Sequence, residues 1–136
     1  MQVQLDIQTA IFDTLSNGLS VPVYDDVPQE ATKKDSNFPF VTVGDDTFNE
    51  GSTDTEGGFD TTITMHIWSR YAGFTETKQI QAEIYALLNR QTIVMAGSDY
   101  GIAGITFDFS NAVLDPDGLT RHGISRFALY VAEKTT

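Results

Sequence analysis

Two imidazoles, His66 and His122, are the only side chains in the sequence whose ordinary titration falls near neutral pH. They stand 56 positions apart and outside any HxxxH or HExxH pattern, so their spacing writes neither a zinc site nor a metalloprotease helix. Only tertiary folding could pair them. His122, between Arg121 and Gly123 at the entrance of a strand, reads as a surface or interface residue. Asp115 and Asp117 could in principle divide acid and base roles. At i, i+2 within Asp115-Pro116-Asp117-Gly118 they instead have the composition of a tight turn. The same tetrapeptide opens like a calcium loop but lacks the further ligands and the closing Glu. No Ser lies in a GxSxG elbow, and no glycine loop precedes a Lys-Ser or Lys-Thr pair. With no cysteine, neither a disulfide framework nor a thiolate metal site can exist. The expectation is a protein that is not an enzyme and takes no cofactor or metal.

Two other groupings carry contact chemistry rather than catalysis. Trp68-Ser69-Arg70-Tyr71 closes a strand with two aromatics and an arginine, residue types enriched where proteins bind one another. The alternative is local: Trp68 covers the edge of the core and Arg70 caps a turn. Between positions 45 and 60 lie Asp45, Asp46, Glu50, Asp54, Glu56 and Asp60, with Gly51, Ser52, Gly57 and Gly58 and no Lys or Arg. Self-repulsion and glycine entropy predict a mobile acidic loop at about 45–60, either a solvated hairpin tip or a segment that orders on assembly.

These groups need a scaffold, and the hydrophobic periodicity supplies one. Val3, Ile7, Ala10, Ile11 and Leu15 fall on one face of an opening helix that stops at Asn17-Gly18. Leu5 and Phe12 form a second, narrower stripe that faces either the same core or another subunit. Val21 to Tyr24 is a short extended piece placed at an edge by Pro22. A polar loop runs from Asp25 to Asn37, and Phe38 to Gly44 is a strand. From Phe59 to Ser69, Ile63, Met65 and Ile67 alternate with Thr62, Thr64, His66 and Trp68. A second helix spans Thr75 to Asn89, with Thr75 as N-cap and Ile80, Ile84, Leu87 and Leu88 inward, leaving Tyr85 on another face. Three strands follow: Ile93 to Met95, a half-buried one carrying Ile105, Phe107, Phe109 and Val113, and a closing one carrying Ser125, Phe127, Leu129 and Val131. Short turns between successive strands favour antiparallel pairing. The predicted fold class is α+β, a mostly antiparallel sheet with two helices packed on one face.

The 136 residues hold one domain, and 40% hydrophobic content with 15 aromatics gives it a real core. No run of 18 apolar residues predicts a membrane span, and the opening Met1-Gln2-Val3-Gln4 lacks a basic region followed by an apolar stretch. Residence in a cytoplasm is the expectation. Nineteen acidic against eight basic residues leave a formal charge of −11, which keeps the chain soluble and argues against a grip on nucleic-acid phosphates.

Taken in order, several segments resemble the siphovirus tail completion or tail terminator proteins, a family also found in prophages and gene transfer agents. They are Ile11-Phe12-Asp13-Thr14-Leu15, Val23-Tyr24-Asp25-Asp26-Val27-Pro28, Phe38-Pro39-Phe40-Val41-Thr42-Val43-Gly44, Met65-His66-Ile67-Trp68-Ser69-Arg70 and the stretch from Asp115 through Gly123. The resemblance implies a virion protein of the neck or tail, assembled in the host cytoplasm. It implies a hexameric homo-oligomeric ring that ends the tail tube, joins it to a head connector or stopper protein, and lets DNA pass without specific binding. Another neck component, such as a head completion protein or a tail tube subunit, is the alternative. Under this reading Leu5, Phe12, Trp68, Arg70, Tyr71, Tyr85, Arg121 and His122 are interface candidates. Asp45, Asp46, Glu50, Asp54 and Glu56 are the candidates for a loop facing the channel or tube.

Overall fold

The computed structural model describes residues 2–29, 34–50 and 58–134. In chain order these form helix α1 (Gln2–Gly18), strand β1 (Val23–Tyr24), a single 3-10 turn (Asp35–Asn37), β2 (Phe40–Glu50), β3 (Gly58–Ser69), helix α2 (Thr75–Leu88), β4 (Tyr100–Leu114) and β5 (Arg121–Glu133). The five strands form one sheet in the order β1-β2-β3-β5-β4. The two-residue β1 runs parallel to β2, and every other neighbouring pair is antiparallel. This is the expected α+β class.

The core lies between one face of the sheet and the two helices. The five apolar residues at helical spacing in α1 are its five buried ones. They meet Val41 and Val43 of β2, Ile63, Met65 and Ile67 of β3, Phe127, Leu129 and Val131 of β5, and Ile80, Ile84 and Leu88 of α2. Complete burial of a side chain of this size contributes roughly 1.5–3 kcal/mol, so this one cluster carries most of the drive to fold. α2 crosses β5 where Gly123 leaves room: a Cβ there would stand 2.6 Å from Thr77 Cγ2 and 3.3 Å from Ile67 Cβ.

Four expectations change. Asp45, Asp46 and Glu50 belong to strand β2 and Asp60 to β3, so the predicted loop at 45–60 shrinks at both ends; Asp54 and Glu56 lie outside the described residues. Charge and polar content suggested a loop, but cross-strand pairing from Thr47↔Thr62 to Glu50↔Phe59 holds the ladder. The cap of α2 is Phe74 without a side-chain bond, because the Phe74 carbonyl already accepts from Lys78 N, which puts Thr75 inside the helix. Ile93 and Met95 are buried with Val94 exposed between them, yet no strand among the described residues pairs with this stretch. Alternation there records packing, not a ladder. In β4 only Ile105 is buried, while Phe107 and Val113 are 39% and 47% exposed. β4 is the sheet edge, and the irregularity between Phe107 and Phe109 breaks the alternation.

Truncating Leu88, which is fully buried, to Ala is expected to cost about 2–5 kcal/mol of unfolding free energy. The same change at Val94, 73% exposed, stays within about 0.5 kcal/mol. Urea denaturation of the two variants beside the parent chain measures both, and equal losses would contradict this placement of the core.

Candidate functional site

The face of the sheet turned away from the helices carries a second, smaller cluster. Its members come from alternate positions on three strands: Phe40 and Thr42 on β2, His66 and Trp68 on β3, His122 on β5. Register brings them together, with Phe40 opposite Trp68 and Trp68 opposite His122. Phe40 is fully buried although it stands outside the helix-side core. It stacks on Trp68 at a centroid distance of 6.5 Å, and Trp68 stacks on the His122 ring at 4.0 Å and 10°. Trp68 Nε1–H donates to Thr42 Oγ1 at 3.3 Å, which settles the one polar atom of the indole.

His66 lies diagonally across from His122, and the two rings meet: His66 Nδ1 is 2.7 Å from His122 Nε2. His66 Nε2 donates to Asp45 Oδ2 at 2.6 Å. Asp45 reaches that nitrogen because the register shift between Gly44 and Thr47 turns the backbone, with Asp45 at φ +53°. Aspartate tolerates this left-handed conformation better than most residues. At the other end Asp115 Oδ1 lies 3.8 Å from His122 Nδ1. The imidazoles that sequence spacing left apart are therefore joined by folding and flanked by two carboxylates. Burial holds His122 below its ordinary pKa, and the charge of His66 acts in the same direction; Asp115 and Asp45 pull the other way.

Beside this row, Arg70 ties three segments. Its Nη1 donates to Asp35 Oδ1 at 3.0 Å, its Nε donates to Thr120 Oγ1 at 3.2 Å, and its guanidinium lies 4.3 Å over the Phe38 ring. The hairpin between β4 and β5 is the expected turn. Gly118 N donates to the Asp115 carbonyl at 2.9 Å, and Gly118 takes φ +69°. Asp117 accepts from Leu119 N and Thr120 N at 2.8 Å each and from Thr120 Oγ1 at 2.7 Å. These bonds, led by those from Thr120, push its carboxyl down to about 2.

A cavity of about 270 Å³ lies against the cluster, lined by Val27, Phe38, Phe40, Trp68, Arg70, Asp115, Asp117 and Thr120. Neither imidazole lines it. Three of the four imidazole nitrogens are engaged with one another or with Asp45, and no cluster of three metal-ligating side chains occurs among the described residues. The arrangement can hold a proton and present an aromatic surface. It does not present an activated nucleophile to a pocket.

The remaining candidates are scattered. Tyr71, 63% exposed, follows Arg70 at the end of β3. Leu119, also exposed, lies in the hairpin at the same end of the sheet, where Ser69 pairs Arg121 and Arg121 pairs Leu114. Arg121 Nη1 donates to the Leu119 carbonyl at 3.1 Å, and its Nε is buried without a partner among the described residues. Leu5 is exposed on α1, but Phe12 packs against the core, so the second stripe splits. Tyr85 projects from α2 and meets Phe107 edge-on at 5.3 Å. Asp46 and Glu50 are exposed on β2. Sequence reasoning missed Phe40 as the floor of the outer cluster, and Asp35, Asp45 and Asp115 as partners of Arg70 and the histidines. Alternation put His66 and Trp68 on one face; the register that adds His122 has no local signal.

A family model described as tail completion protein gp17 matches residues 9–132. Tail completion protein gp17 of Bacillus phage SPP1 is 26% identical over 97 residues, covering 70% of this chain and 69% of that protein. A chain in the virion of a native gene transfer agent particle superposes with a TM-score of 0.77 at 20% identity, covering 93% of this chain and 94% of that one. The solved bacteriophage SPP1 gp17 protein gives a TM-score of 0.60 at 20% identity, over 100% of this chain and 96% of that one. At such identity the structural likenesses establish a shared fold.

Asp117 is held ionised by the fold, so its contribution to stability is complete above about pH 4 and is lost as pH falls toward about 2. Asp117→Asn is expected to lower stability at neutral pH and to flatten the acid limb over that interval. Urea midpoints at neutral pH and across the interval, for parent and variant, check it; parallel acid limbs would contradict the assignment.

Proposed function

The chain belongs to the tail completion protein gp17 family, and from that premise we propose that it is a structural, non-enzymatic virion subunit. In this reading it forms a hexameric ring at the head-proximal end of a tail tube, contacts the tube protein on one side and a head connector or stopper on the other, and leaves a passage for DNA. It is assembled in the host cytoplasm. The observation that carries the reading is a family match running from residue 9 to residue 132.

Physical features of the chain support it. A ring needs one patch that meets a different patch on the next subunit. The β3 end and the β4–β5 turn offer Tyr71 and Leu119 at one end of the sheet, braced from behind by Trp68, Arg70, Arg121 and His122. Leu5 on α1 and Tyr85 on α2 offer apolar groups on the helix layer. The formal charge of −11 suits a passage that does not hold DNA, because a grip on phosphates needs clustered cations. The carboxylates Asp45, Asp46 and Glu50 of β2, with Asp54 and Glu56 of the connection to β3, are the candidates to face that passage or the tube.

The double variant Tyr71→Ala with Leu119→Ala trims two side chains outside the core, 63% and 43% exposed, and circular dichroism is expected to show the parent fold. The expected outcome is that the parent chain gives a particle of six-chain mass in the presence of the tube protein, measured by sedimentation or mass photometry, and that the variant does not. In virions lacking the chain, electron microscopy is expected to show overlong or headless tails; leaking heads with tails of normal length would instead assign the chain to head completion.

A further inference from the structure

We infer that Asp45, His66, His122 and Asp115 act together as a store for a single proton, loaded at His122 Nδ1 and sensed by the ring of Trp68. The hydrogen-bond directions follow from the distances. His66 Nε2, 2.6 Å from Asp45 Oδ2, carries a hydrogen, because a carboxylate only accepts. A neutral His66 then has its lone pair on Nδ1, so the 2.7 Å contact requires His122 Nε2–H to donate. A neutral His122 in turn has its lone pair on Nδ1, facing Asp115 Oδ1 at 3.8 Å, acceptor against acceptor.

A proton arriving at His122 Nδ1 turns that unfavourable contact into an ion pair and leaves the other two hydrogen bonds in place. A second proton finds no free lone pair. It would have to take His66 Nδ1, break the 2.7 Å bond and set two imidazolium rings side by side. The geometry therefore leaves one open position for a proton, His122 Nδ1. Trp68 joins the unit through its face: it lies 4.0 Å from the His122 ring at 10°, a geometry in which an indole stabilises a cation.

The surrounding charges leave this balance intact. On β2 they are Asp45 and Asp46; at the end of β3, Arg70 is paired with Asp35; on β5, Arg126 is paired with Asp108 at 2.8 Å, and Arg121 donates to a carbonyl; in the turn, Asp117 is bound by backbone and Thr120 donors. Burial opposes loading, so the folded His122 takes its proton below the ordinary value of about 6.5, where the unfolded chain takes it. The stability linked to this site is complete above about pH 6.5 and falls as pH drops through the folded value.

Trp68 is the only tryptophan, and an imidazolium in ring contact quenches indole emission. The test is the emission of the purified chain from about pH 8 to about pH 4.5, with circular dichroism confirming that the chain stays folded. Expected is one quenching step with the slope of a single proton and a midpoint below about 6.5. His122→Gln abolishes the step, and Asp115→Asn, which leaves the turn backbone bonds untouched, lowers its midpoint by about half a pH unit or more. Nitrogen chemical shifts of both imidazoles at high pH should report the Nε2–H tautomer for each. Emission that stays flat, a midpoint unmoved in Asp115→Asn, or an Nδ1–H tautomer at His122 would overturn the proposal. The last two hold whether or not His122→Gln folds.

Discussion

The pairing of β3 with β5 is the constraint on which the rest of the molecule depends. All twelve residues of β3 find partners, from Gly58↔Ala132 to Ser69↔Arg121, without an interruption. The partners are more than fifty positions apart in the chain, so the pairing closes a long loop before it gains anything, a cost that grows slowly with length and is met by contacts formed together. Once made, it joins the β2–β3 and β4–β5 hairpins into one sheet. Its inner side sets Ile63, Met65 and Ile67 beside Phe127, Leu129 and Val131 as the floor on which both helices pack. A slip of one residue would turn this floor toward solvent.

The same register builds the outer cluster, which is why its members cannot be understood singly. Trp68 faces His122 only if Ile67 faces Gly123, and Gly123 is also where α2 comes closest to the sheet. The helix side and the outer side are thus locked to one alignment by independent contacts. The bulge in β2 adds a third condition. Without the turn at Asp45, strict alternation from Phe40 and Thr42 would carry Asp45 to the helix side, an unpaired carboxylate against an apolar core, a costly arrangement. With it, the carboxylate meets the one imidazole hydrogen that points toward β2.

How much of this the sequence reveals follows from the range of each interaction. The α1 face was readable residue by residue, because helical periodicity is local and Val3, Ile7, Ala10, Ile11 and Leu15 obey it without exception. The β3 and β5 alternation and the Asp115–Gly118 turn were readable for the same reason. Ile93 to Met95 has the period of a strand, yet a strand is defined by a neighbour that period cannot name. β4 misled in the opposite sense: its apolar residues suggested half burial, but the edge position exposes Phe107 and Val113. The histidine pair was invisible at any local scale, since it depends on which strand lies next to β3. Trp68 and Arg70, open between an interface role and a local one, prove to be well occupied within the chain, which leaves Tyr71 as the freer surface.

The acidity of the chain takes on a different meaning once its carboxylates are followed to their partners. Asp35 holds Arg70, Asp108 holds Arg126, Asp45 accepts from His66, and Asp117 closes the hairpin on three donors. These groups are structural, and they also remove cations from circulation: Arg70 and Arg126 are spent in ion pairs, and Arg121 lies against a backbone carbonyl. Each ion pair cancels one charge of either sign, so the formal charge of −11 stands while fewer cations are free to meet a phosphate. A phosphate backbone gains affinity only where unpaired Lys and Arg release its counterions. In the ring proposed above, weak affinity for DNA would follow from the net charge together with the way the domain satisfies its own arginines.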